Sequence, residues 1–215
     1  IRKNCDMMSD NIIQDKPIHI PVLKDEVISL LDIQPDGIYI DGTCGLGGHS
    51  KLILKNLSPK GTLIGIDVDQ AALDLCEASV NKSYKNFHIK KNSYSNLPAI
   101  LKKKGIDRVS GILLDLGLSS LQLDSLDRGF SYKNNCQLDM RFDQSTPIKA
   151  ADLINKSTQS ELADIIYHYG EERRSRLIAK KINQSLPISN VQDLVEIIRN
   201  CTPPQKRNKT LARVF

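Results

Sequence analysis

The sequence predicts an α/β fold, with a parallel, doubly wound sheet followed by a mainly helical segment. Short apolar, β-prone runs alternate with amphipathic helical patterns up to about residue 116, and a glycine-rich turn follows the first of these runs. Beyond residue 116 the strand patterns stop and helical patterns continue. Strands that alternate with helices through short connections pair in parallel, which places helices on both faces of the sheet.

Four strands with their helices follow one another along the first half of the chain. We expect strands at 38–41, 62–67, 87–90 and 109–116. Helices are predicted at about 50–57, 70–80 and 95–104, and Gly105 stops the last one. The fourth run is nearly all apolar, which is typical of a strand covered by helices on both faces.

The chain before the first strand divides into two parts. Residues 1–16 are polar and unpatterned, and we expect a disordered or extended leader. A helix is predicted to open within His19–Glu26, with Pro21 in its first turn. Its apolar positions on one face are Val22, Leu23, Val27, Leu30 and Leu31. The predicted sheet domain spans residues 17–124.

Residues 125–215 are predicted to form a mainly helical domain, inserted into the sheet domain or appended to it. The stretch 124–143 is rich in charged residues, glycine and asparagine and is predicted to be a loop. Helix starts are expected at Thr146, Thr158 and Ser189, the last two through capping boxes. The segment 169–174 is predicted to end one helix and start another.

Composition excludes several classes of protein. Hydrophobic residues make up 40% and charged residues 26% of the 215 residues, as in ordinary globular proteins. No apolar run approaches the roughly 20 residues of a membrane span, and no secretory signal is recognisable, so we expect a cytoplasmic protein without membrane contact. The five cysteines are scattered and form no C-x-x-C pair, so we expect reduced thiols and no metal site.

The net charge of +5 arises near the C-terminus. Residues 199–215 contain five basic residues and no acidic one, and the other 25 basic residues equal the 25 acidic ones. A charge run of this kind is either a solvated surface or a surface that contacts phosphates. The charge pattern alone leaves both readings open.

The glycine-rich turn after the first strand differs from a dinucleotide-binding loop. Gly45 and Gly47 take the first two positions of the G-x-G-x-x-G pattern, but Ser50 takes the third. Asp41 precedes the glycines, and Asp67 ends the second strand at the spacing used to hold ribose hydroxyls. A carboxylate repels a pyrophosphate but can hold an ammonium group. S-adenosylmethionine has an ammonium group and a ribose and contains no phosphate.

A third acidic residue, Asp115, follows the fourth strand. Ligands of open parallel sheets bind beyond the carboxyl ends of the strands, so we expect Asp41, Asp67 and Asp115 to face one crevice. Each of these acids could instead be an ordinary turn residue. Three of them at three strand ends favour a binding site.

Six blocks of the sequence resemble those of the bacterial-type 16S ribosomal RNA cytosine-N4 methyltransferases, which act on the decoding region of the small ribosomal subunit. The blocks occur in the family's order from residue 19 onwards. They are His19-Ile-Pro-Val-Leu-Lys-Asp-Glu26, Asp41-Gly-Thr-Cys-Gly-Leu-Gly-Gly-His-Ser50, Gly111-Ile-Leu-Leu-Asp-Leu-Gly-Leu-Ser-Ser-Leu-Gln-Leu-Asp124, Arg128-Gly-Phe-Ser-Tyr132, Leu138-Asp-Met-Arg-Phe-Asp143 and Tyr169-Gly-Glu-Glu-Arg173.

The resemblance implies a Rossmann-like class I methyltransferase sheet with an inserted α-helical domain. It implies S-adenosylmethionine contacts at Gly47, Gly48, His49, Asp67, Tyr94, Asp115 and Gln122, with Asp41 and Gly45 shaping the loop. Tyr94 stands where phenylalanine is usual in the family. Family members also continue beyond the segment matched here, so the resemblance implies a sheet that is incomplete at its C-terminal end.

The implied reaction is transfer of a methyl group to the exocyclic N4 of a cytosine in small-subunit RNA. Asp115 is the candidate catalytic residue, either as an acceptor for the target amine or as a cofactor contact alone. Candidate RNA contacts are Arg128, Arg174, Lys206, Arg207 and Lys209, whereas Arg141 and Arg173 lie among acids that they can pair with. The alternatives are a methyltransferase of another substrate class, a non-catalytic fragment that binds cofactor or RNA, and a dehydrogenase. The sequence does not indicate an oligomeric state.

Overall fold

The computed structural model describes residues 21–215 and contains one four-stranded sheet. The strands are β1 (Ile38–Asp41), β2 (Thr62–Asp67), β3 (Phe87–Lys91) and β4 (Gly111–Leu113). All pairs are parallel, in the spatial order β3-β2-β1-β4. The strand order reverses beside β1, and a reversal of this kind opens a crevice at the carboxyl ends of the strands. The predicted parallel α/β sheet is confirmed.

The helices flank the sheet and then continue beyond it. They are α1 (Lys24–Leu31), α2 (Gly48–Asn56), α3 (Gln70–Ser79), α4 (Leu97–Lys104), α5 (Ser120–Asp124), α6 (Ala150–Lys156), α7 (Gln159–His168), α8 (Ser175–Gln184), α9 (Val191–Asn200) and α10 (Arg207–Val214). Short 3₁₀ turns lie at Asn81–Ser83, Tyr94–Asn96 and Pro204–Lys206.

The two faces of the sheet bury alternate residues of the same strands. Tyr39 and Leu63 pack with residues of α2 and α3 on one face. Their neighbours Ile40 and Ile64 pack with α4 on the other face. This alternation follows from the two-residue period of a strand. The sheet is therefore doubly wound, as predicted.

The strand β4 differs from its prediction in length and in covering. It spans three residues instead of 109–116. Ile112 is 47% exposed and Leu116 is 65% exposed, so one side of this segment carries no covering helix within the described residues. The expectation that both faces are covered was wrong here, because an apolar run shows what a strand can bury but not whether a partner is present.

The first helix also presents a different face to the core. It begins at Lys24, and its Ile28 and Leu31 pack towards the core on the α2 and α3 side. Val22, Leu23 and Leu30, which share the predicted apolar face, are at least 63% exposed. The start at Lys24 lies within the predicted range His19–Glu26, whereas the predicted leader 1–16 lies outside the described residues.

The helical segment has a hydrophobic core of its own. This core is built from Leu138 and residues of α6 to α10, and it is separate from the two cores of the sheet. The predicted capping box of α7 is confirmed, because the Thr158 hydroxyl accepts from the Glu161 N–H and the Glu161 carboxylate accepts from the Thr158 N–H. The predicted domain boundary after residue 124 is consistent with a helical core that is separate from the two cores of the sheet, and it stays a prediction.

Two helix starts in this segment were predicted incorrectly. The helix expected from Thr146 begins at Ala150. The N-cap of α9 is Asn190 instead of Ser189, and its side-chain oxygen accepts from the N–H of Asp193 at 2.9 Å. Both errors place a helix start one to four residues too early. At α9, Ser189 and Asn190 are both good caps and stand side by side, whereas α6 begins after Lys149, which is not a typical cap.

Candidate functional site

A cleft of about 620 Å³ opens at the carboxyl ends of the strands. Every strand contributes to its lining: Thr43 follows β1, Asp67 ends β2, Asn92 follows β3 and Asp115 follows β4. Further lining residues come from the start of α2, from α5 and its preceding loop, and from Phe142. We call this space the strand-end cleft. Its position is the one expected for a ligand site of an open parallel sheet.

The carboxylate of Asp67 is fixed in the wall of the strand-end cleft. One oxygen accepts from the backbone N–H of Gly45 at 2.8 Å, and the other accepts from the N–H of Asp69 at 3.0 Å. A carboxylate oxygen has two lone pairs, so each oxygen keeps an acceptor position for a ligand. Gly45 has a φ of +49°, which favours glycine. Asp67 therefore holds the loop and can still accept hydrogen bonds from the cleft.

Asp41 lies beneath the glycine loop and not among the residues that line the cleft. Its side chain is buried, and its carboxylate accepts from the Ser50 hydroxyl at 2.7 Å and from the Thr43 N–H at 3.3 Å. Burial raises the pKa of Asp41 to about 6, against the opposing effect of the hydrogen bond from Ser50. Asp41 thus joins β1, the loop and α2. The expectation that Asp41 faces the crevice together with Asp67 and Asp115 was wrong, because its carboxylate is buried against Ser50 and Thr43.

The raised pKa of Asp41 predicts a pH-dependent stability. Folding raises this pKa from 3.8 to about 6, so the folded state binds more protons between these values. Compared with an Asp41→Asn variant, the wild type should lose on the order of 3 kcal/mol of unfolding free energy as pH rises from about 4 to about 7. Denaturant titrations of both proteins across this range measure the difference. A difference that is constant with pH would contradict the assignment.

The glycine loop faces the cleft with only part of its residues. Gly48 and His49 line the cleft, and His49 Nε2 lies 3.8 Å from a carboxylate oxygen of Asp115. Gly47 does not line it: a Cβ at this position would lie 2.6 Å from the Cys76 sulfur, and its φ is +82°. Glycine at this position therefore lets the loop pack closely against α3. Gly47, one of the predicted cofactor contacts, is buried and is not among the residues that line the cleft.

Asp115 and Tyr94 present exposed side chains to the cleft. The backbone N–H of Asp115 donates to the Thr43 hydroxyl at 2.7 Å, which ties the chain leaving β4 to the chain leaving β1. The carboxylate of Asp115 remains 58% exposed. Tyr94 begins the 3₁₀ turn after β3 and is 42% exposed. Both side chains are accessible to a ligand.

Cys44 also lines the cleft, but its thiol is unsuited to nucleophilic chemistry. A hydrogen bond with the Cys76 thiol, together with burial, raises the pKa of Cys44 far above its usual range. The thiolate is the reactive form of cysteine. Cys44 is therefore a packing residue.

Asp69 connects the start of α3 to the chain beyond β4. It caps α3, accepting from the Ala71 N–H at 3.2 Å. Its other oxygen accepts from Gln122 Nε2 and from Arg128 Nη2, both at 3.1 Å. Gln122 lies 53 residues away along the chain, so spacing gives no signal for this contact.

Arg128 lies in the interior and not on the surface. It is only 5% exposed, and besides Asp69 its Nη2 contacts the carbonyl oxygens of Arg141 at 2.8 Å and Phe142 at 3.2 Å. A guanidinium that is buried and paired cannot reach an RNA phosphate. The prediction that Arg128 contacts RNA was therefore wrong. Arg141 forms the ion pair that its acidic neighbours suggested, with Asp139 at 2.7 Å.

The remaining candidate RNA contacts gather around the C-terminal end of α9. The guanidinium of Arg174 donates to the carbonyl of Cys201 at 3.0 Å, and Arg207 donates to the carbonyls of Arg199 and Thr202. Cations at this end of a helix satisfy its last carbonyl groups. Lys206 and Lys209 lie beside them and are exposed. These two lysines are available to an external anion.

The described part of the chain shows neither a metal-binding cluster nor a membrane-spanning helix. Residues 21–215 contain no group of three or more His, Cys, Asp or Glu side chains arranged to hold a metal ion. None of the helices in this range is long and apolar enough to cross a membrane. No Lys or Arg occurs among the described residues that line the strand-end cleft. The cleft wall that these residues form is therefore acidic and neutral.

Comparison with known families identifies the chain. The model of the MraW methylase family matches residues 16–215, which is nearly the whole sequence. The chain belongs to the MraW methylase family. The resemblance inferred from the six sequence blocks is therefore confirmed.

Three relatives of this chain carry the name ribosomal RNA small subunit methyltransferase H. The protein of that name from Thermosipho africanus is 46% identical over 89% of the chain, and that from Mycoplasma mycoides is 46% identical over 86%. The one from Caldicellulosiruptor saccharolyticus is 44% identical over 91%. The chain spans 65%, 60% and 64% of the lengths of these three relatives.

Proposed function

We propose that this chain transfers a methyl group from S-adenosylmethionine to the exocyclic N4 of a cytosine in 16S ribosomal RNA. The observation that carries the proposal is the strand-end cleft, in which Asp67 and Asp115 stand at strand ends and no Lys or Arg lines the described wall. Membership of the MraW methylase family and relatives named as small-subunit RNA methyltransferases support it.

The residues of the cleft fit S-adenosylmethionine. The two acceptor positions that Asp67 retains suit the two hydroxyl groups of a ribose. Carboxylates and the absence of Lys and Arg from the described wall favour a cationic ligand and disfavour a pyrophosphate, which argues against a nicotinamide dinucleotide. When bound, the cofactor supplies a methyl group on a positively charged sulfur.

We assign the cofactor contacts to the residues that line the cleft. These are Gly45, Gly48, His49, Asp67, Tyr94, Asp115 and Gln122. Gln122 is 4% exposed and both ends of its amide are engaged, with Asp69 and with the Ser119 N–H, so it acts as a fixed wall. Gly47 and Asp41 act indirectly, through the packing and hydrogen bonds that shape the loop.

The protein contributes alignment and a proton acceptor to the reaction. The lone pair of the cytosine N4 is delocalised into the ring, so the amine must be held in line with the methyl group. As the bond from N4 to the methyl carbon forms and the bond from sulfur breaks, the electron pair stays on sulfur and one N4 proton must leave. Asp115, whose carboxylate is 58% exposed in the cleft, is the acceptor that we place there.

The exposed lysines at the start of α10 are proposed to contact RNA phosphates. Lys206→Ala combined with Lys209→Ala should weaken RNA binding and lower the slope of log affinity against log salt by about 1 for each phosphate left without its lysine. Lys60→Ala is the matched control, because this exposed lysine precedes β2 and so lies at the edge of the sheet opposite the cleft. Filter-binding titrations at several salt concentrations measure the RNA affinity and its salt dependence for each variant. If Lys60→Ala weakened RNA binding equally, the assignment of Lys206 and Lys209 as RNA contacts would be contradicted.

The proposed substrate sets the partner and the compartment. The proposed partner is the 16S RNA, alone or within the small ribosomal subunit. The proposed compartment is the cytoplasm, where the subunit that contains this RNA is assembled. A base that is paired or stacked must be extruded before its amine can enter a cleft of this kind.

Methyl transfer in vitro tests the proposal. The chain is incubated with small-subunit RNA that lacks the modification and with S-adenosylmethionine labelled on its methyl group, and the RNA is then digested to nucleosides. The expected product is labelled N4-methylcytidine. Label in a different nucleoside would overturn the substrate assignment, and absence of label from a chain that binds S-adenosylhomocysteine would favour a binding role without catalysis.

A further inference from the structure

Phe142 places an aromatic ring in the wall of the strand-end cleft. The ring is 43% exposed, although burial of a phenylalanine stabilises a fold more than exposure does. Tyr94 is the other aromatic residue among the described lining residues, and it follows β3 on the sheet side of the cleft. Phe142 comes from the segment beyond the sheet, so the two rings approach the cleft from different parts of the chain.

The segment that carries Phe142 is attached to the sheet region on both sides of the ring. On one side, the buried Arg128 contacts the carbonyl oxygens of Arg141 and Phe142 and pairs with Asp69. On the other side, the Lys91 ammonium donates to the Asp143 carboxylate at 2.7 Å, which lowers the pKa of Asp143 to about 2. Phe142 is therefore an exposed ring on a backbone that is held in place.

The orientation of the ring is also constrained. Phe142 and Phe130 form an edge-to-face contact with ring centroids 5.2 Å apart and an interplanar angle of 64°. Phe130 is 3% exposed and provides a fixed neighbour. A rigid, oriented and partly exposed aromatic ring is the type of surface on which an unstacked nucleobase binds.

We propose that Phe142 is the residue on which the methyl-accepting base stacks, and that Arg128 is a positioning residue that holds it there. The inference rests on the proposed function, since it identifies where the cytosine of that reaction lies. Through Asp69, the same ion pair connects Phe142 to Gln122 and to the helix that follows Asp67. One buried carboxylate thus links the cofactor side of the cleft to the base side.

Replacement of Phe142 by leucine, compared with tyrosine, tests the stacking role. Leucine keeps apolar volume but has no aromatic face, whereas tyrosine keeps the face. The probe is pyrrolocytidine, a fluorescent cytidine analogue whose emission is quenched on stacking, titrated in the presence of S-adenosylhomocysteine. Phe142→Leu should weaken its binding about tenfold and abolish the quench, as expected when one stacking interaction is removed. Phe142→Tyr should retain both.

Two controls separate stacking from other effects. Tyr167→Leu removes a ring of similar exposure on α7, outside the cleft, and should leave the quench unchanged. The affinity of Phe142→Leu for S-adenosylhomocysteine should equal that of the wild type. If this affinity falls by the same factor as analogue binding, the ring serves the cofactor and the inference is overturned. A wild-type quench in Phe142→Leu would also overturn it.

Arg128→Lys tests the positioning role separately. Lysine keeps a positive charge, but its side chain is shorter, so its ammonium does not reach the position of Arg128 Nη2, the nitrogen that contacts the Asp69 carboxylate and both carbonyl groups. The quench at saturation, which reports ring and base geometry in the folded protein, should fall, and a wild-type value would remove the role of Arg128. The wild-type protein could quench the fluorescence of pyrrolocytidine and yet transfer no methyl group to small-subunit RNA. This result would count against the proposed function and leave the stacking inference standing.

Discussion

Replacement of Asp67 by alanine is expected to lower the affinity of the strand-end cleft for S-adenosylhomocysteine by at least about 100-fold. Each hydrogen bond to a charged group contributes roughly 1.5–3 kcal/mol, and two ribose hydroxyls would lose their acceptor. The variant also loses the acceptor for the Gly45 N–H, so the loop itself is loosened. Isothermal titration calorimetry measures the change directly.

Asp74→Ala is the matched control for this experiment. Asp74 lies on the exposed side of α3, where its carboxylate accepts from the Gln70 side chain at 2.7 Å. We expect wild-type affinity for this variant. Asp67→Asn, which keeps one side-chain oxygen, should fall between the wild type and the alanine variant. Wild-type affinity in Asp67→Ala would contradict the assignment of the ribose site.

Replacement of Arg128 by methionine is expected to lower the free energy of unfolding by about 3–5 kcal/mol, the range seen when one partner of a buried ion pair is removed. The carboxylate of Asp69 would remain buried without a cation, since both side chains are at most 6% exposed. Two backbone carbonyl groups would also lose a donor. Denaturant unfolding followed by circular dichroism measures this loss.

The surface ion pair of Lys156 and Asp152 provides the comparison. The pair is 4.0 Å apart, and the lysine side chain is 79% exposed. Lys156→Met should change the free energy of unfolding by less than about 0.5 kcal/mol. The double variant Asp69→Asn with Arg128→Met should regain part of the loss of the single variant, because the unpaired charge is then absent. Equal stability of Arg128→Met and wild type would show that the buried pair contributes nothing.

The features that were predicted correctly from the sequence depend on local patterns. Three strands lie within one residue of their predicted bounds, and β4 lies inside its longer predicted run, because the backbone period and the turn residues that bound a strand are properties of a few neighbouring residues. Asp67, Asp115 and the glycine loop meet in one cleft because parallel strands end at one edge of the sheet. The alternation of strands and helices along the chain was therefore enough to predict where these residues meet.

The features that the sequence did not reveal depend on contacts between distant residues. Arg128 was expected to bind RNA, but folding buries it against Asp69, and a basic side chain gives no local sign of such a partner. The roles of Gly47 and Phe142 also depend on tertiary contacts, with Cys76 and with Phe130 respectively. Charge and residue type indicated a binding site, but only the fold separates lining residues from supporting ones.

The most direct test of the account is nucleoside mass spectrometry of 16S RNA from cells in which the gene is deleted. We predict that an N4-methylated cytosine disappears on deletion, returns when the wild-type gene is restored, and does not return with an Asp67→Ala gene. An unchanged level of the modification in the deletion strain would contradict the proposed reaction. Full restoration by the Asp67→Ala gene would contradict the placement of the cofactor in the strand-end cleft.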